Sequence, residues 1–176
     1  MIRVRQRSGA TRLTELNEGD KTAFVAALGC VFEDSPWVAE RAWDYRPFDS
    51  LDSLHTTMTR VVADASEVEQ LALLRAHPDL GTRARISEAS TAEQRGAGLD
   101  RLTADEFAAL QRLNDEYRRR FGFPFLFAVT GATKDDVLAA LAGRVTRTRE
   151  QEFAEALQQV YKIARFRLEE MLGTTR

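Results

Sequence analysis

The spacing of the apolar residues is the strongest constraint on the fold of this chain. In segment after segment they recur every three or four positions, as Val160, Ala164 and Leu168 do. This spacing places apolar side chains on one face of an α-helix, whereas a half-buried strand would alternate. The only strand-like run lies at about residues 123–130, and Pro124 within it does not fit a central strand. The sequence therefore predicts an all-α fold, a single-domain multi-helix bundle with one extended apolar segment at about 123–130.

Local signals also mark where the helices begin and end. Pro78 and Gly122 are expected helix stops, because the residue before a proline avoids the α region and glycine tolerates the left-handed conformation. In the helix that ends before Pro78, the expected buried face is Val68, Leu71 and Leu74. Polar residues that can cap a helix N-terminus precede the apolar stripes at Ser35, Ser50, Ser66, Thr103 and Thr133.

Length and composition restrict the class of protein. The 176 residues, 44% hydrophobic and 30% charged, are typical of one globular domain, expected at residues 13–176 after a flexible basic stretch at 1–12. A formal net charge of −2 argues against nucleic-acid binding. The single cysteine, Cys30, excludes an internal disulfide and a cysteine-based zinc cluster. No apolar run approaches the ~20 residues that cross a bilayer, and the first residues lack the apolar core of a secretory signal. We therefore expect a cytoplasmic protein with no membrane partner.

Proton chemistry at neutral pH has few candidates, because the chain contains only two histidines, His55 and His77. His77 lies between an apolar stripe and Pro78, just beyond a helix C-terminus where the macrodipole favours a cation. It either caps the last carbonyls of that helix or acts as a catalytic acid. His55 lies on an apolar stripe and is interpreted as a packing residue.

Two further places allow a structural and a functional interpretation. Ser90 and Glu93 have the spacing of a capping box, which would explain both, but a carboxylate at a fixed helix start could also orient an imidazole. Arg167 lies on the apolar side of the last helix, so it either snorkels along the core edge or meets a carboxylate, backbone carbonyls or a ligand anion. The segment 123–130 likewise allows two interpretations: packing against helices accounts for its aromatic residues, or a ligand with several amide-like groups supplies partners to its buried backbone.

A set of short motifs occurs in order over residues 13 to 172. They stand at residues 32–40, 76–80, 90–94, 97–99, 113–117, 120–125 and 162–168. Together they resemble the family of 2-oxo-4-hydroxy-4-carboxy-5-ureidoimidazoline (OHCU) decarboxylases of urate breakdown. The resemblance implies an all-helical homodimer that forms (S)-allantoin and carbon dioxide from a small-molecule substrate, with no metal or organic cofactor.

The resemblance also implies roles for individual positions. His77 and Glu93 match the two catalytic residues, and Pro78 shapes the pocket beside His77. The other implied substrate-binding residues are Ser90, Gln94 and Arg167, together with Phe125, Leu126, Phe127, Ala128 and Val129, which offer backbone contacts. The chain departs from the family at Thr130 and Arg147, where an arginine and an asparagine are common.

These residues suggest a hypothesis for the reaction. His77 would deliver the proton that replaces carbon dioxide, and Glu93 would orient His77 or hold the ureido and hydroxyl groups. Arg167 is expected to neutralise Glu93 or charge that develops on the ring oxygen, because a bond to the departing carboxylate would stabilise the ground state. Two alternatives stay open: a ureide hydrolase that uses the His77/Glu93 pair to activate water, and a non-catalytic helical binding module.

Overall fold

The computed structural model describes residues 9–81 and 88–173, with side chains placed over 13–81 and 91–173. Within these ranges the chain forms nine α-helices and no strand, so the prediction of an all-α fold is confirmed. No described helix combines the length and the apolar character needed to cross a membrane. The helices are α1 (Gly9–Glu18), α2 (Lys21–Leu28), α3 (Trp37–Ala42), α4 (Leu51–Ala63), α5 (Glu67–Ala76), α6 (Glu88–Gly96), α7 (Ala104–Phe121), α8 (Lys134–Arg144) and α9 (Arg149–Leu172), with 3₁₀ turns at Trp43–Tyr45 and Leu99–Arg101.

Side-chain caps are present at four of the five predicted positions, Ser50, Ser66, Thr103 and Thr133. The Thr103 hydroxyl accepts a hydrogen bond from the amide of Glu106, whose carboxylate accepts one from the amide of Thr103, and a matching box at Thr133 starts α8. Each such cap stabilises a helix by about 1 kcal/mol. The predicted cap at Ser35 is wrong: α3 begins at Trp37 and its start carries no side-chain cap bond.

The buried face of α5 differs from the prediction. Val68 is 78% exposed and Leu71 is half-buried. Leu74 is fully buried, as predicted, together with Leu73, which was not predicted. Positions 73 and 74 share a helix face with 77, which lies four and three residues further on. The face that α5 presents to the interior is therefore the one that carries His77.

The residues group into two compact units. One, the N-terminal unit, comprises the described residues up to Gln70 and those from Ala164 on. The other, the central unit, comprises the described residues within Leu71–Ile163. In the N-terminal unit the ring of Phe24 packs on Trp43 at 5.4 Å and on Phe48 at 6.2 Å. One domain over residues 13–176 stays a prediction, and the flexible start expected at residues 1–12 lies largely outside the described residues.

An aromatic cluster on α7 organises the central unit. The ring of Tyr117 lies 4.5 Å from Phe121, 5.3 Å from Phe125 and 6.0 Å from Phe123, and all four side chains are buried. The predicted extended apolar segment follows α7, and residues 124–129 adopt neither helix nor strand. Burial of these rings, each worth a few kcal/mol, holds the segment against α7.

The cap of α5 leads to a prediction about acid stability. Hydrogen bonds from Arg41 and Ser66 lower the pKa of Glu69 from 4.5 to about 2. A lowered carboxyl pKa stabilises the folded state above the unfolded pKa, and this stabilisation is lost as the pH falls from 4.5 to about 2. We expect the free energy of unfolding of Glu69→Gln to fall less steeply than that of the wild type between pH 4.5 and about 2. Urea unfolding at a series of pH values measures this difference. The control is Glu67→Gln on the same helical turn, and an identical acid slope in both variants would contradict the prediction.

Candidate active site

His77 lies at the C-terminal end of α5, and Pro78 behind it ends the helix. The amide of His77 bonds to the carbonyl of Leu74 at 3.3 Å, one residue short of the α-helical partner. The carbonyl of Leu73 is thereby released, and the Nδ1 atom of His77 lies 2.9 Å from it. Because a carbonyl only accepts, Nδ1 carries a hydrogen and Nε2 is the nitrogen that can gain or lose a proton. His77 is therefore both a helix cap and a candidate acid, held in one tautomer.

The loop that follows His77 is anchored to α7. The Arg118 guanidinium lies 2.9 Å from an Asp79 carboxylate oxygen, and the Asn114 side-chain amide donates to the carbonyl of Leu80 at 2.9 Å. Asn114 and Arg118 are four residues apart and so share one face of α7. Side chains from two adjacent turns of α7 thus hold the residues that directly follow His77 in place.

Gln94, on α6, is a further hydrogen-bond partner of the loop that follows His77. Its Oε1 atom accepts a hydrogen bond from the amide of Gly81 at 2.8 Å, and the residue is 7% exposed. Gly81 has φ +71°, and a Cβ there would come within 2.4 Å of Leu110. The left-handed backbone strains any larger residue here, so the turn after His77 favours glycine. The predicted substrate-binding glutamine therefore also holds the histidine loop.

The other polar residues predicted on α6 are Ser90 and Glu93. Because α6 begins at Glu88, Ser90 stands inside the helix and is not its N-cap. The side chain of Ser90 lies outside the described residues. Glu93 is half-buried, one turn further along the same helix. The capping-box interpretation of this pair is therefore wrong, and the functional one stays a prediction.

Side chains of α8 and α9 supply partners to the backbone of the extended segment. The Arg144 Nη1 atom donates to the carbonyl of Leu126 at 2.8 Å, and the amide of Ala128 donates to Gln159 Oε1 at 2.8 Å. Phe125, Leu126 and Val129 are buried, whereas Phe127 and Ala128 are half-buried. Protein side chains, and not a ligand, are thus the partners of these two backbone groups, and the accessible part of the segment is 127–128. Thr130 is exposed.

Arg144 belongs to a buried polar cluster that the sequence analysis missed. Glu152 is completely buried and accepts a hydrogen bond from the Tyr117 hydroxyl at 2.5 Å and from the Arg144 Nε atom at 2.9 Å. Burial and the bond to Glu152 raise the pKa of Tyr117, so its hydroxyl remains a donor. Arg147, the second departure from the family pattern, lies 3.3 Å from the other oxygen of Glu152.

A sequence signal for this cluster did exist. Glu152 continues the buried stripe of Ala156 and Val160 by one turn towards the start of α9, and a charged residue on an apolar stripe is the pattern that singled out Arg167. Within the described ranges no group of three or more histidine, cysteine, aspartate or glutamate side chains could hold a metal ion.

Arg167 lies in the N-terminal unit and is buried, with an exposure of 6%. Its Nη2 atom is 2.9 Å from a carboxylate oxygen of Glu33, and its Nη1 atom lies 3.3 Å and 3.4 Å from the carbonyls of Cys30 and Val31. The snorkelling alternative is therefore wrong. The carboxylate found on Arg167 is that of Glu33, which the sequence analysis did not single out as a site residue.

Comparison with known proteins extends over nearly the whole chain. Residues 17–169 match the family model described as OHCU decarboxylase. A protein of Halalkalicoccus jeotgali named 2-oxo-4-hydroxy-4-carboxy-5-ureidoimidazoline decarboxylase is 48% identical over 163 residues, which cover 92% of this chain and 93% of that protein. A protein of Haloferax volcanii with the same name is 49% identical over 162 residues, covering 92% and 96%. The crystal structure of an (S)-allantoin synthase is similar with a TM-score of 0.75 and 36% identity, covering 90% of this chain and 53% of that one.

Proposed function

Because this chain belongs to the OHCU decarboxylase family, we propose that it converts 2-oxo-4-hydroxy-4-carboxy-5-ureidoimidazoline into (S)-allantoin and carbon dioxide, with His77 as the general acid. The observation that carries the role of His77 is its buried position, 5% exposed, with Nδ1 bonded to the Leu73 carbonyl. That bond fixes the orientation of the ring and makes Nε2 the nitrogen from which a proton can be delivered.

The substrate can accept the electrons of the broken bond itself. When the carboxylate leaves as carbon dioxide, the electron pair of its carbon–carbon bond forms a C=C bond to the neighbouring carbon, which bears the ureido group. The π pair of the C=N bond moves to the ring nitrogen, which takes a proton. The resulting enol then loses its hydroxyl proton to become the ring carbonyl, and the carbon that bears the ureido group takes a proton. Delivery of that proton from one face by His77 Nε2 selects one enantiomer. The protein therefore has to supply orientation, electrostatics and an acid, and no metal or organic cofactor is required by this scheme.

Glu93 is the second catalytic residue in this proposal. Its half-buried place on α6, next to Gln94, keeps it on the helix that also holds the histidine loop. There it would orient His77 or the ureido and hydroxyl groups of the substrate. Pro78, Ser90 and Gln94 would complete the polar side of the pocket.

Backbone groups of Phe125, Leu126, Phe127, Ala128 and Val129 would bind the substrate on the apolar side. The half-buried residues Phe127 and Ala128 are the accessible part of this segment. Since the Ala128 amide is bonded to Gln159, the amide of Phe127 is the donor we assign to the substrate.

Arg167 is proposed to stabilise charge that develops on the ring and not to hold the departing carboxylate. Both of its terminal nitrogens already contact protein oxygens, those of Glu33 and of two backbone carbonyls. Bidentate hydrogen bonding of Arg167 to the substrate carboxylate would have to break these contacts. It would also stabilise the ground state of the substrate, which opposes the loss of the carboxylate. We further propose that the protein is cytoplasmic and forms a homodimer. It binds this small molecule and neither nucleic acid nor a membrane.

One assay separates this function from its alternatives. Freshly generated substrate is supplied to the wild-type chain, and carbon dioxide release and the optical rotation of the allantoin are followed together. We expect rapid carbon dioxide release and (S)-allantoin, whereas Glu93→Ala should give racemic product at the spontaneous rate. Release of ammonia or urea in place of carbon dioxide would indicate a ureide hydrolase. Binding with no acceleration would indicate a non-catalytic module.

A further inference from the structure

The buried cluster of Arg144, Glu152 and Tyr117 lies directly behind the extended segment. Exposure of the three residues is 5%, 0% and 0%. Burial of an ion pair costs several kcal/mol per ion in desolvation, and apolar residues of similar volume often stabilise a fold equally well. Packing alone therefore does not account for a guanidinium and a carboxylate at this place.

Arg144 contacts the segment and the carboxylate at the same time. Its Nε and Nη2 atoms are both 2.9 Å from one oxygen of Glu152, while Nη1 donates to the Leu126 carbonyl at 2.8 Å. The guanidinium carbon also lies 4.7 Å from the centre of the Phe125 ring. Only the planar fork of an arginine reaches these partners together, since a lysine offers a single compact ammonium.

The peptide unit that Arg144 touches is the one that carries the Phe127 amide. The Leu126 carbonyl and the Phe127 N–H are the two ends of a single peptide group. A charged donor on the carbonyl draws electron density towards the oxygen, and this polarisation makes the N–H at the other end a stronger donor. The next amide, that of Ala128, is tied to Gln159. Phe127 is therefore anchored on both sides.

Resting on the proposed function, we infer that Arg144 is a positioning residue of the decarboxylation. It holds the backbone of 125–129 in place and strengthens the Phe127 amide as a donor to the negative charge that the substrate ring develops. Glu152 compensates the charge of Arg144 and, with Tyr117, holds its orientation. Because the ring charge appears only as carbon dioxide leaves, the contribution falls on kcat and not on KM.

The test compares Arg144→Lys with the neutral double variant Arg144→Gln/Glu152→Gln. Lysine keeps the positive charge but cannot bond to the Glu152 carboxylate and the Leu126 carbonyl at the same time. The double variant keeps a hydrogen-bond donor near the Leu126 carbonyl and removes both buried charges. We expect kcat to fall about tenfold in each, with KM unchanged, since weakening a preorganised donor costs less than removing it. Both variants are measured as folded protein, checked by circular dichroism and thermal unfolding.

Lys134→Met is the matched control, because Lys134 stands on the same helix as Arg144 and pairs with Glu106 at 2.7 Å. This variant should lose stability and keep the wild-type kcat. Wild-type kcat in the folded double variant, or an equal fall of kcat in Lys134→Met, would overturn the role of Arg144. Failure of the wild-type chain to release carbon dioxide would instead overturn the proposed function itself.

Discussion

The variant His77→Asn should lose about 10²–10⁴-fold in kcat and yield racemic allantoin, while its fold remains intact. A positioned general acid contributes an effect of this size. Asparagine is close to histidine in shape and its amide can still donate to the Leu73 carbonyl, the contact made at 2.9 Å by Nδ1. It has no group that can deliver a proton near neutral pH. The measurement is carbon dioxide release together with the optical rotation of the product.

His55→Asn is the control for this prediction. His55 is the other histidine of the chain and lies half-buried on α4, in the N-terminal unit. Its replacement should leave kcat and the handedness of the product at wild-type values. Full activity with (S)-allantoin from His77→Asn would show that another group delivers the proton.

The second large effect concerns stability. Glu33→Ala should lower the free energy of unfolding by about 3–5 kcal/mol, because it leaves the Arg167 guanidinium buried without its carboxylate. The two side chains are each 7% exposed and their charged atoms are 2.9 Å apart. For a chain of this length the melting temperature should fall by roughly 6–20 °C. Urea unfolding followed by circular dichroism gives the free energy.

A double variant and a surface pair serve as controls for Glu33. Glu33→Met combined with Arg167→Met removes both charges and should recover most of the lost stability, since apolar replacements of a buried pair are often neutral. Glu69→Ala breaks the exposed pair with Arg41, whose side chains are 38% and 49% exposed, and should cost much less. If Glu33→Ala and Glu69→Ala have similar effects, the Glu33–Arg167 contact does not support the fold.

Much of the helical architecture was predictable because its signals are local. The capping boxes at Thr103 and Thr133 join residues three positions apart, and Gly122 has the φ of +81° that a left-handed helix end requires. The prediction failed at Val68, which is 78% exposed. An apolar residue on a short helix does not reveal which face other helices will cover, so the burial of α5 depended on packing.

The buried polar residues were predictable to the extent that they break a pattern. His77 before a helix-ending proline and Arg167 on an apolar stripe stood out as exceptions, and both are buried. Glu152 breaks the stripe of α9 in the same way and was overlooked. The anchors of the His77 loop, Asn114 and Arg118, carry no such signal because polar residues are ordinary on a long helix.

The sequence by itself determined the helices, most of their ends, the family resemblance and the identity of the unusual residues. These depend on neighbours within one or two turns, where helix geometry decides which groups meet. Only the tertiary structure decided which acceptor each buried charge finds: Glu33 and Val31 for Arg167, the latter 136 positions away, and Glu152 for Arg144. A buried charge needs a partner at hydrogen-bond distance, and several oxygens could satisfy that need in a chain this long. The packing of the helices selects among them.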